Sequence, residues 1–134
     1  MIEEIPSATQ LLQSVAAFLD SEVAPALKQS DLKFKLRVAT NILAIIEREV
    51  ATGAAAAAAE VRTLQGLVDS EAGSLAELRG CLAEEIQSGR FDSDLIPLAS
   101  QLLPGVCDRM GIDNPRYSTL VELQQPNQAG STGE

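Results

Sequence analysis

The stretch RVATNILAIIEREV, residues 37–50, decides the fold. Val38, Ile42, Leu43, Ile45, Ile46 and Val50, with Phe34 and Leu36 just before them, recur at helical spacing and cover much of a helix's circumference. Such a helix belongs in the centre of a bundle, with neighbours on several sides. Three polar residues interrupt it. At about 100° per residue, Asn41 falls roughly 40° from Arg37 and Arg48 roughly 20° from it, so the three share one stripe some three turns long.

The stripe has two readings. In one, it borders solvent or loops, and Asn41 satisfies a backbone group at a helix end. In the other, the two guanidinium groups face a partner's carboxylates or a ligand's phosphate, where arginine makes bidentate contacts. Glu47 and Glu49 flank Arg48 in sequence, but adjacent residues on a helix do not face each other. Arg48 therefore needs a partner from elsewhere, and a carboxylate on another helix would make its role structural.

Working outward, Asp31 is a plausible N-cap for this second helix, which should end near Ala51 with Gly53 as its stop. AAAAAAEVRTLQGLV, residues 54–68, then reads as a third helix, small side chains allowing close packing; one helix running on through Gly53 is the alternative. Upstream, SATQ from Ser7 is a capping-box pattern opening an amphipathic first helix that Pro25 should end or kink. Downstream, SLAE from Ser74 opens a fourth helix that stops at Gly89. A fifth carries Leu95, Leu98, Leu102, Leu103 and Val106, should kink or split at Pro104, and ends at Gly111. Nothing alternates with period two for long. The expectation is an all-α antiparallel bundle of four to five helices in one domain over residues 1–122, followed by a disordered Gln/Gly/Ser-rich tail, 123–134.

Composition narrows the chemistry. With 46% hydrophobic and 22% charged residues, the 134-residue chain can bury a core, and an aromatic share of 3% favours packed helices over a β-sandwich. A net charge of −9 repels nucleic acid, and Lys33, Lys35 and Arg37 form the only short basic cluster. The absence of histidine excludes His-based triads, proton shuttles and His-ligated zinc. No P-loop or dinucleotide fingerprint is present. Cys81 and Cys107 read as free thiols among apolar residues. The opening MIEEIPSATQ is acidic where a secretory leader is basic, and no apolar run approaches the ~18 residues of a membrane span. A cytoplasmic location, no membrane, no cofactor and no metal are expected.

A second constellation is NPRY, Asn114–Pro115–Arg116–Tyr117. It reads either as a turn whose tyrosine packs on the bundle or as part of an exposed recognition surface. FKLRVATNILAIIEREVATG (34–53), GIDNPRYSTL (111–120) and PSATQLLQSVAAFLDSEVAPAL (6–27) together resemble a bacterial family of small helical proteins with a domain of unknown function. The family's genes lie beside those of aminoglycoside-phosphotransferase-like kinases and acyl-CoA dehydrogenases. The resemblance puts weight on Arg37, Asn41, Arg48, Glu49, Asn114, Pro115, Arg116 and Tyr117, supplies no catalytic mechanism, and implies an accessory role near a kinase-like or acyl-CoA-metabolising enzyme.

The expectation is a non-enzymatic interaction module. Its alternative is a bundle holding an acyl-CoA or similar anionic amphiphile, with Arg37 and Arg48 on the phosphates. A carboxylate or thiol enzyme is a third, weaker reading. A helix this apolar can also be covered by a second copy, so a homodimer is expected.

Overall fold

The two capping patterns start helices where their spacing says they should. In the computed structural model, which describes residues 6–70 and 73–125, Ser7 Oγ accepts the Gln10 N–H at 3.2 Å and Gln10 Oε1 accepts the Ser7 N–H at 2.9 Å. Helix α1, Ala8–Phe18, follows. It passes through a π turn, Leu19–Val23, into a short 3-10 turn, Ala24–Ala26, where Pro25 ends it. Ser74 Oγ accepts the Glu77 N–H at 3.1 Å and opens α4, Leu75–Gln87. Gly89, with φ of +91°, terminates that segment in a conformation that suits glycine.

Between them lies the element that organises the molecule. Helix α2, Ser30–Arg48, is capped at Gln29 rather than Asp31, which instead sits in the first turn against the helix's positive end. It passes through a π turn, Glu49–Gly53, directly into α3, Ala54–Val68. Residues 30–68 thus form one uninterrupted helix, roughly 58 Å long. The expected stop at Gly53 gives way to the continuous alternative for a local reason. Gly53 has helical φ and ψ of −61° and −41°, and six alanines carry the helix on. Its missing Cβ is used as well: one built there would lie 2.5 Å from Glu49 Oε1, which folds over the glycine.

Helix α5, Leu95–Asp113, runs back along this spine, and α6, Ser118–Gln124, packs on α5 where the sequence suggested only an ordered extension. The expected break at Pro104 is absent, and the helix outlasts Gly111. Pro104 and the Ser100 carbonyl one turn before it lie at exposed positions, so water can take the bond the proline cannot donate. The tail read for 123–134 begins inside α6 and otherwise lies outside the described residues.

Leu64, Leu67 and Val68 from α3, Leu78 and Leu82 from α4, and Leu98 from α5 form the core. Asp69, at φ 49°, turns the chain out of α3 so that α4 can fold back on it. The spine's second half therefore buries one side, the side that faces α4 and α5. Its first half is covered by α1 on one side, with only Thr40 buried in α2 and no residue buried in α1. The fold is an all-α bundle, as read from sequence, with its core displaced to one end. No strand occurs among the described residues, and none of their helices is long and apolar enough to cross a membrane.

Candidate functional site

The carboxyl end of α5 meets the spine at its π turn, and two arginines fix it there. Arg48 Nε donates to the Ile112 carbonyl at 2.7 Å, satisfying an acceptor that the end of α5 leaves without a helical partner. Ile112 itself is 2% exposed. From α5, Arg109 reaches Glu49 at 2.8 Å and Asp113 at 3.1 Å. The hydrogen bond to Asp113, followed by the attraction of Asp113 and Glu49, raises the Arg109 guanidinium above its ordinary value and holds it charged.

Beyond this anchor the chain turns sharply. The Asn114 N–H donates to the Met110 carbonyl at 2.7 Å, closing α5, and the Tyr117 N–H donates to the Asn114 carbonyl at 3.1 Å, shaping the turn. Tyr117 precedes α6, which is pinned by Leu120, 3% exposed. The turn thus presents Pro115, Arg116 and Tyr117 at exposed positions.

Two segments 64 residues apart in sequence are brought together here. Arg48 meets Ile112 and Glu49 meets Arg109, while Asn114, Arg116 and Tyr117 follow in the turn just beyond. Asn41 and Arg37 continue the same stripe about 10 and 16 Å further toward the amino end of α2, both exposed. Arg48 finds a backbone carbonyl on another helix instead of a carboxylate, and the contact joins α2 to α5. Arg109 and Asp113, the other half of the clamp, were missed in the sequence. Their i,i+4 spacing in DRMGID was the available signal.

Two clefts border this junction. One of about 350 Å³ opens between α3, α4 and α5, lined by Thr63, Leu102, Val106, Arg79 and Arg109 among others. Arg79 grips Glu60 through both nitrogens at 2.7 and 2.8 Å, and that bond raises its guanidinium above the ordinary value. Both arginines of this cleft are therefore engaged by the protein's own carboxylates. A second cleft of about 390 Å³ is bounded by Thr52, Ala55, Cys107 and Ile112. Neither is lined by Arg37 or Arg48, where a phosphate-bearing ligand was anticipated. Cys81 and Cys107 are half-buried free thiols. No cluster of three or more metal-ligating side chains occurs among the described residues.

The sequence pattern of a domain of unknown function, DUF6285, matches residues 25–117. The chain belongs to this family. The DUF6285 match opens at Pro25, in the turn before α2, and closes at Tyr117, so the stripe, the clamp and the NPRY turn all fall inside it. Helices α1 and α6 fall outside. No curated protein and no solved structure matches the chain.

Proposed function

We propose that this DUF6285 protein is a non-enzymatic interaction module that docks a protein partner on the outer side of the α2–α5 junction. The observation carrying this reading is Tyr117. Its side chain belongs to a residue left 46% exposed on a turn that the Arg48 and Arg109 clamps hold in place. Arg116 stands beside it, and Arg37 and Asn41 extend along the neighbouring stripe. Arginine and tyrosine are the residue types that anchor protein interfaces, since each combines apolar contact area with hydrogen-bonding reach. A turn already fixed in the free protein loses little further freedom on docking.

The resemblance noted in the sequence supplies the candidate partner, a kinase-like or acyl-CoA-metabolising enzyme. Purification of tagged protein from its native host tests the idea. A kinase-like or acyl-CoA dehydrogenase-like enzyme should co-purify at near-stoichiometric amount, and a Tyr117→Ala, Arg37→Glu variant should lose it while keeping wild-type helicity. Recovery of the bait alone, or equal recovery with the variant, would refute the proposal.

A further inference from the structure

We infer that the partner contributes a short acidic, amphipathic helix, which lies along the amino half of α2 on the side that α5 occupies further along. The inference rests on the docking proposed above and names the chemistry of what docks. Arg48 marks where the end of α5 meets the spine, through its bond to the Ile112 carbonyl, and Ala44, Ile45 and Arg48 are half-buried there. At 100° per residue, Lys33, Phe34, Arg37, Val38 and Asn41 all fall within about 80° of Arg48 around α2. They continue the same side of the helix past the point where α5 stops at Asp113, and α6 packs on α5. Helix α1 forms its hairpin with α2 on a different side, marked by buried Thr40 and by the 2.7 Å bond from Gln13 to Glu47, about 80–100° from Arg48. The five residues are therefore exposed, Phe34 at 64% and Val38 at 41%.

The charge on this side is opposite to that of the chain. The protein carries −9 overall, yet the charged residues of α2 within the arc are Lys33, Arg37 and Arg48. Asp31, Glu47 and Glu49 each lie about 100° from Arg48, outside the arc. Glu47 accepts from Gln13, and Glu49 is paired with Arg109. Lys33 and Arg37 have no ion pair among the described residues. They stand one turn apart, and Phe34 and Val38 stand one turn apart beside them, so a basic row runs parallel to an apolar one with Asn41 at their end.

A helix laid alongside answers both rows, with carboxylates one turn apart on one edge and apolar residues on the adjoining stripe. Its size follows from the patch, which runs about 12 Å from Lys33 to Asn41, or two to three helical turns. A nucleic acid or an anionic bilayer would extend past so short a patch and set its next phosphates against the acidic remainder of the chain. A short acidic segment confined to the patch meets its cations alone, and the chain's own surplus of carboxylates repels it from most other surfaces.

Photo-crosslinking of the full chain in its native host tests the inference. Benzoylphenylalanine, which keeps an aromatic ring, replaces Phe34 in one version and Tyr117 in another, and the joined peptides are sequenced by mass spectrometry. Both positions should capture the same protein, and the peptide joined at position 34 should be net negative with carboxylates and apolar residues at helical spacing. Lys33→Glu combined with Arg37→Glu should lower the yield at position 117 by about tenfold or more, with far-UV circular dichroism retained because both positions are exposed. Arg62→Glu, at an exposed position on α3, should leave the yield unchanged. Capture at position 117 alone, a neutral or basic peptide at position 34, or a yield indifferent to the double reversal would overturn the inference and leave the docking itself standing. Nucleic acid or lipid joined at position 34 would overturn it too. No captured protein at either position would overturn both.

Discussion

Replacing Arg48 with methionine tests how the molecule is held together. Methionine keeps the unbranched stem but removes the Nε–H that donates to the Ile112 carbonyl at 2.7 Å. A hydrogen bond from a charged donor contributes about 1.5–3 kcal/mol when well formed. Arg48 is half-buried, so water can partly replace it, which favours the lower end of that range, about 1.5 kcal/mol. With an m-value of about 2 kcal/mol/M in urea, the midpoint should fall by about 0.7 M. The assay is urea unfolding followed by far-UV circular dichroism at one fixed protein concentration, since self-association would shift the midpoint. Amide exchange in α6 should rise more than in α4, because α6 packs on the end of α5 that Arg48 secures and α4 does not. An unchanged midpoint, or exchange raised equally in both helices, would refute the clamp.

Three further outcomes follow from the same reasoning. Leu78→Ala empties a fully buried site in a core of six residues, so it should destabilise by about 3–4 kcal/mol in the same titration. Ser74→Ala removes the acceptor for the Glu77 N–H and should lower stability by about 1 kcal/mol, with Ser74→Asp restoring it. Gly53→Ala should be neutral to stabilising by less than about 1 kcal/mol. Alanine favours the helix but displaces the Glu49 carboxylate from above residue 53, so the variant should lose the salt sensitivity that the exposed Glu49–Arg109 pair confers.

The local signals of the sequence were reliable where one side chain decides the outcome. Ser7 with Gln10 forms the full capping box, Ser74 caps α4 without the returning Glu77 side-chain bond, and Gly89 ends its segment, whereas the cap read at Asp31 falls instead at Gln29. Gly53 and Pro104 misled because breaker residues have averaged penalties of ~1–3 kcal/mol, which a particular site can offset. Six alanines follow the glycine, and the turn opposite the proline is exposed. The apolar pattern of residues 34–50 marked a helix but not its surroundings: read as central with neighbours on several sides, α2 instead leaves Phe34, Val38, Ile42, Ile46 and Val50 exposed. Periodicity reports that a face avoids water, without saying whether its cover lies within the chain. In the candidate site, Arg48's need for a distant partner was legible. The partner, a backbone carbonyl, has no sequence signature, and neither does the approach of residues 48–49 to residues 109 and 112.

The π turn at Glu49–Gly53 has a consequence for how the spine tolerates changes in length. A wide turn of this kind accommodates one residue more than α-helical geometry uses, so the segments on either side keep the azimuth they would have without it. Deleting Ala51 should therefore let the turn relax to ordinary helix while the hairpin and the leucine cluster stay in phase. A deletion midway through Ala54–Val68 has no such slack and would swing one end against the other by about 100°. The turn is thus the place along this helix where the chain can gain or lose a residue without twisting its two ends apart.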